Sequence, residues 1–186
     1  NINFGRTFIT LNGDDYDLQE LEKQSMMYLI MHEVGHTLGL NHNMKSSSIY
    51  SPKELYDSDK LKGKAISGSV MDYPALNLNP NPKIKSPYAD SSVGHYDEWA
   101  IEFGYKPFKS VQERNEVLSR STDPLLIFGN DADILYSSRG IDPRVQTNDM
   151  SSDPISYSID RMDLINDLFN DVKDKFQKPG NTYEDL

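Results

Sequence analysis

HEVGHTLGLNH, residues 32–42, holds three of the four histidines of this 186-residue chain. His32 and His36 are four positions apart, so on a helix they project from one face, one turn above the other. Glu33 then lies about 100° round from His32. That offset keeps its carboxylate near a metal held by the two histidines without making it a ligand, which suits a base acting on water. If the helix ran on, His42 would sit ~9 Å beyond His36 and about 240° round, facing away. The helix is therefore expected to end first. Gly39 is placed to take the left-handed conformation and swing the chain back, which makes His42 a third nitrogen ligand. Three protein ligands leave one tetrahedral position open, the arrangement of catalytic rather than structural zinc.

Composition limits what else the chain can be. Hydrophobic residues make up 37% of it, enough for one domain with a real core. The formal net charge of -10 opposes binding to nucleic-acid backbones or anionic membrane surfaces. Cysteine is absent, so a metal must be held by histidine nitrogen and carboxylate oxygen. The opening stretch NINFGRTFITLNGDD lacks the basic start and apolar core of a secretory signal, and the chain is expected to be part of a longer polypeptide. The strongest apolar run, MMYLIM, is far shorter than the ~20 residues a membrane span needs, so no span is expected in this chain.

Outward from the motif, Phe4 to Leu11 has β-branched and aromatic residues in partial alternation before the turn-like NGDD, which predicts a strand. A long helix follows. Asp17 with Glu20 suits a capping box, and Leu18, Leu21, Met26, Leu29, Ile30, Val34 and Leu38 recur at helical spacing up to Gly39. Residues 41–92 read as loop-rich. A helix resumes near Tyr96, with Tyr96, Trp99, Ala100 and Phe103 on one face, and another covers about Lys109 to Ser119. DPLLIFGNDADILY reads as two short extended pieces around a turn. Ser158 to Gln177 reads as an amphipathic helix with Ile159, Met162, Ile165, Phe169, Val172 and Phe176 on one side, stopped by KPG. The expected fold class is α+β, mainly α, with a core over residues 1–105 and a mostly helical extension over residues 106–186 packed on the same domain.

Other candidates read as structural. His95 is a surface or capping residue at a helix start. Gly35 costs about 1 kcal/mol inside a helix relative to Ala and marks either close packing or a tolerated small residue. Asp131, Asp133, Asp142, Asp149 and Asp153 crowd a loop-rich stretch, but they lack EF-hand spacing and read as solvated turn residues rather than a calcium site.

His32, Glu33, His36, Gly39 and His42 match HExxHxxGxxH, and SVMDYP, Ser69 to Pro74, resembles the turn that carries a methionine in the metzincin zinc endopeptidases. The resemblance extends less sharply through GHYDEWAIEFGY, and GIDPRVQTNDMSSDPISYS is similar to the tail of large bacterial peptidases with a Met-zincin domain. It implies a metzincin-like catalytic domain using Zn²⁺, with His32, His36 and His42 as ligands, Glu33 as general base and Met71 as an apolar floor. It also implies that Tyr73 approaches the metal and stabilises the oxyanion, that the substrate is a peptide or protein, and that the segment after Pro74 shapes the substrate pocket. The same likeness implies a bacterial secreted, periplasmic or cell-envelope setting. It further implies a twisted sheet before the active-site helix, most of which is expected upstream of Asn1. Asn43 stands where several branches of that family carry an acidic residue, serine or proline, so the chain fits none of those branches. The alternative function is a zinc-stabilised binding or structural domain without hydrolysis, which the intact Glu33 disfavours.

Overall fold

The computed structural model describes residues 2–12, 16–134 and 140–176. Its α-helices are α1 (Ile2–Asn12), α2 (Leu18–Thr37), α3 (Pro52–Leu55), α4 (His95–Tyr105), α5 (Val111–Ser119) and α6 (Pro154–Phe176). Short 3-10 turns lie at Ser46–Ile49, Arg120–Thr122, Pro124–Leu126 and Asp131–Asp133. No strand occurs among the described residues, so the fold is mainly helical rather than α+β.

The predicted strand Phe4–Leu11 is part of α1, and the reason is backbone accounting. A lone strand has no ladder for its N–H and C=O groups, whereas a helix bonds its own. The segment also carries a helical stripe that the alternation hides: Gly5, Phe8 and Ile9 are buried at i, i+3 and i+4. Phe8 and Ile9 join Tyr16, Leu21, Leu76, Leu78, Tyr88 and Ala89 in one apolar cluster, with Leu164 and Leu168 of α6 against it. Most of the NGDD turn lies outside the described residues.

Asp17 caps α2 by accepting from the Glu20 backbone N–H at 3.0 Å. The reciprocal half of the capping box is absent, because the Asp17 N–H donates to the Tyr88 hydroxyl instead. The buried stripe of α2 is Leu21, Gln24, His32 and Gly35. Met26, Leu29, Ile30, Val34 and Leu38, part of the predicted apolar face, are exposed. Polar bonding decides this choice of face: Gln24 Oε1 accepts from the N–H groups of Tyr88 and Ala89.

The stretch between α2 and α4 is irregular, and buried side chains satisfy its backbone in place of a ladder. Asp90 accepts from the N–H groups of Ile66 and Ser67, and Asn77 donates to the carbonyls of Leu55 and Pro87. A second apolar cluster, Tyr50, Leu55, Leu61, Ile66, Met150 and Tyr157, anchors this stretch to the start of α6. Trp99 of α4 donates to the Val117 carbonyl of α5 at 2.8 Å. The DPLLIFGNDADILY segment forms 3-10 turns on either side of an extended link rather than two extended pieces, and Leu135 and Tyr136 lie outside the described residues. In α6 the packed face is Tyr157, Leu164 and Leu168, whereas Ile159, Met162 and Phe169 of the predicted face are exposed. The side chains of Val172 and Phe176, and the KPG stop, lie outside the described residues. No described helix is long and apolar enough to cross a membrane.

Candidate metal centre

The C-terminus of α2 ends as its glycine requires. Leu40 N–H donates to the Gly35 carbonyl and Gly39 N–H to the His36 carbonyl, both at 3.0 Å, with Gly39 at φ 84°. This pair of bonds is the Schellman motif, and glycine takes its left-handed position without the Cβ penalty. The chain reverses at once. Asn43 N–H then donates to the Met71 carbonyl at 3.0 Å, setting His42 beside the end of α2.

His32, His36 and His42 each offer a ring nitrogen, and these atoms lie within 4.8 Å of one another. Each Nδ1 has its own acceptor. His32 meets the Val70 carbonyl at 2.8 Å, His36 the Leu40 carbonyl at 3.1 Å, and His42 the Asp131 carboxylate at 2.9 Å. An acceptor on Nδ1 places the proton there and leaves Nε2 as a lone pair. Three lone pairs therefore face one another: His36 Nε2 and His42 Nε2 are 3.1 Å apart, and buried His32 Nε2 has no hydrogen-bond partner. Burial, the leading cause, lowers the His32 pKa and favours the neutral ring.

Met71 is fully buried and packs its sulfur against Gly35, the residue before His36 on α2. A Cβ on Gly35 would overlap its sulfur, so Gly35 marks close packing rather than a tolerated small residue. The turn that carries Met71 is held from below by Asp97 of α4, which accepts from Ser69 Oγ at 2.5 Å and from the N–H groups of Val70 at 2.9 Å and Gly94 at 2.8 Å. Asp72 accepts from Ser47 N–H at 2.7 Å and Ser46 Oγ at 3.0 Å, and Tyr28 of α2 donates to the Asp72 carbonyl. Support thus runs from Asp97 through Val70 to His32.

Tyr73 brings its hydroxyl to 2.9 Å from His42 Nε2, and its ring stacks on His32 with centroids 5.0 Å apart. Burial raises its pKa, so the phenol stays protonated at neutral pH. Glu33 is exposed on the same turn of α2, close enough for its charge to act on both His32 and Tyr73. His95 is exposed at the start of α4 and is not part of the three-histidine group.

Sequence reading missed Asp131, Asn43 and Asp97. Asp131 is not a merely solvated turn residue, since its carboxylate bonds His42 across 89 positions of chain. Only Asp97 had a local signal, as the third residue after the Gly94 helix start. The neighbouring aspartates are engaged separately: Asp133 with Asn130 N–H, Asp142 with Lys45 and Arg144, Asp149 with Ser47 and Asp153 with Ser156. Among the described residues, the three histidines are the one group of this size suited to a metal.

The donor set fits zinc. Bonds of about 2.0–2.1 Å to tetrahedral zinc put neighbouring nitrogens roughly 3.3 Å apart, close to the spacing of the His36 and His42 nitrogens. A cation also resolves the facing lone pairs and the unpartnered His32 Nε2. A helix with two histidines one turn apart, a glycine turn returning a third, and a buried methionine packed against the same helix make a candidate three-histidine metal site. The chain belongs to the Met-zincin family, whose family model matches residues 14–186. It is also 34% identical over 83 residues to a protein described as a probable matrix metalloproteinase 095L from Invertebrate iridescent virus 3. That match takes in 42% of this chain and 23% of the viral protein. No solved structure matches the chain.

Proposed function

We propose that the chain is the catalytic part of a zinc-dependent endopeptidase, in which His32, His36 and His42 would hold Zn²⁺ and Glu33 is the general base. One observation carries this reading: three imidazole Nε2 lone pairs converge, each ring fixed through its other nitrogen, beside a glutamate of the same helix. When bound, zinc supplies Lewis-acid polarisation of a substrate carbonyl and a water whose pKa falls towards ~7. Glu33 accepts the proton of the attacking water as the new C–O bond forms, then delivers it to the amide nitrogen as the C–N bond breaks. The Tyr73 phenol, held protonated, donates to the oxygen that gains charge. Family membership supports the metal chemistry, and the viral relative's description supports a protein substrate.

Glu33→Gln in the full chain tests the assignment, with the parent measured beside it. The amide keeps the volume but cannot accept the proton, so zinc content is retained while cleavage of a mixed peptide library falls roughly 10²- to 10⁴-fold. His36→Ala loses zinc and His95→Ala keeps it. A zinc-loaded parent that cuts nothing replaces the peptidase with a zinc-stabilised binding domain, and Glu33→Gln cutting at the parental rate moves the hydrolysis to another centre.

A further inference from the structure

The third histidine is held differently from the other two. His32 and His36 present Nδ1 to neutral backbone carbonyls, whereas His42 presents it to both oxygens of the Asp131 carboxylate, at 2.9 and 3.0 Å. Nothing local brings these residues together. The link is Asn43, whose fully buried amide donates from Nδ2 to the Ile127 carbonyl at 2.9 Å and accepts at Oδ1 from Gly129 N–H at 3.1 Å. Met44 N–H donates to the Gly129 carbonyl at 2.7 Å, so the residues after His42 bind the 127–129 segment on consecutive groups. Only a side-chain amide serves here. A carboxylate would set oxygen against the Ile127 carbonyl, and a serine hydroxyl has one proton on one short arm.

Past Gly129 the chain turns on Asn130, whose side chain accepts from Ala132 N–H at 2.9 Å and whose N–H donates to Asp133 at 3.0 Å. Met44, Ile134 and Val145 form a small apolar cluster under this turn. Asp131 is the residue left pointing at His42.

We propose that Asp131 is a positioning residue for His42, and that Asn43 and the 127–133 turn deliver it, so that metal affinity depends on chain remote from the histidine motif. This inference rests on the zinc reading above. A carboxylate on Nδ1–H fixes Nε2 as the ligating nitrogen, orients the ring and strengthens it as a donor. The Asp131 side chain is 62% exposed, so its contribution is orientation more than a desolvated charge pair.

Asp131→Asn in the full chain is the test, with the parent measured beside it. Zinc affinity, read by competition with a chelator, falls roughly 10- to 100-fold, the usual loss for such a partner. The melting temperature of metal-free protein stays at the parental value, because an exposed carboxylate is exchanged for an isosteric amide. In proton–nitrogen spectra of zinc-loaded protein the His42 Nδ1–H resonance moves, while those of His32 and His36 hold. Parental zinc affinity in the variant overturns the inference. So does an affinity loss that comes with a lower metal-free melting temperature or with equal shifts at all three histidines, since Asp131 then supports only the fold. A parent that takes up no zinc overturns the zinc reading as well, and is told apart from the first outcome, in which both proteins bind it equally.

Discussion

Gly35 shows how one missing methyl sets the site. Helix propensity alone says that Gly35→Ala stabilises α2, by roughly 0.5–1 kcal/mol. Packing says the opposite, because the new Cβ would overlap the sulfur of Met71, a side chain with no exposed surface into which to move. Overpacking of this kind costs roughly 1–3 kcal/mol, so it outweighs the propensity gain. Gly35→Ala is therefore expected to lower stability by roughly 1–2 kcal/mol in urea unfolding, and to weaken zinc binding by shifting the helix turn that carries His32 and His36. The cause is separable. In a Met71→Ala background the obstacle is gone, and the same glycine substitution becomes neutral or stabilising; an equal loss in both backgrounds would trace the effect to something other than Met71. Met71→Leu, near in volume, is expected to keep zinc at a cost under ~1.5 kcal/mol, and loss of all metal would make the sulfur a ligand.

At the scale of elements, the candidate metal centre is a helix end seated on a turn that another helix holds in place. Asp97 of α4 gathers three donors with one carboxylate, and one of them, Val70, turns its carbonyl to His32. An amide there has one acceptor and sets its NH₂ against a donor. Asp97→Asn is expected to cost roughly 2–3 kcal/mol, the scale of a lost charged bond plus an unsatisfied buried group, with a measurable fall in zinc affinity. An unchanged urea midpoint would remove Asp97 from this role. These contacts also explain what could be read before the fold. The path from His32 to His42 was legible because its cause is local: helical periodicity, then a glycine free to turn left-handed. The faces of α1 and α2 were not. Phe4 to Leu11 fits both a strand pattern and a helix pattern, and the lack of a pairing strand among the described residues, with the buried face of Gly5, Phe8 and Ile9, decides between them. In α2 the apolar spacing correctly gave a helix, but buried Gln24 and its bonds to Tyr88 and Ala89 choose the packed side. Asp131 was illegible for the same reason in stronger form, since its meaning lies entirely in a contact 89 residues away.

For the whole molecule, the net charge of -10 coexists with buried carboxylates held by N–H and O–H donors. Ser47 joins two of them, its N–H on Asp72 and its hydroxyl on Asp149. Burial, opposed by those bonds, pushes Asp72 from its ordinary 3.8 up to about 7 and Asp149 up to about 6. Each therefore holds a proton in the folded chain at pH values where the unfolded chain has released it. Folding is favoured by protonation over that window, so their stabilising share is complete below about pH 4 and is lost as pH rises through about 6 to 7. Glu54 acts with opposite sign: its bond to Lys60 holds it down at about 2, and its share is lost only under stronger acid. His32, lowered by burial, loses its share as pH falls below its ordinary 6.5, so a raw pH profile mixes opposing trends. Asp72→Asn isolates the carboxylate, because the amide does not titrate. Measured by urea unfolding of metal-free protein, the parent's stability relative to Asp72→Asn is expected to shrink steadily from about pH 4 to about pH 7, the window in which the buried acid keeps the proton that the unfolded chain has released, and to level off above it. A difference that is flat or grows with pH would mean that Asp72 is ionised throughout, held as a carboxylate by Ser46, Ser47 and Tyr73 N–H.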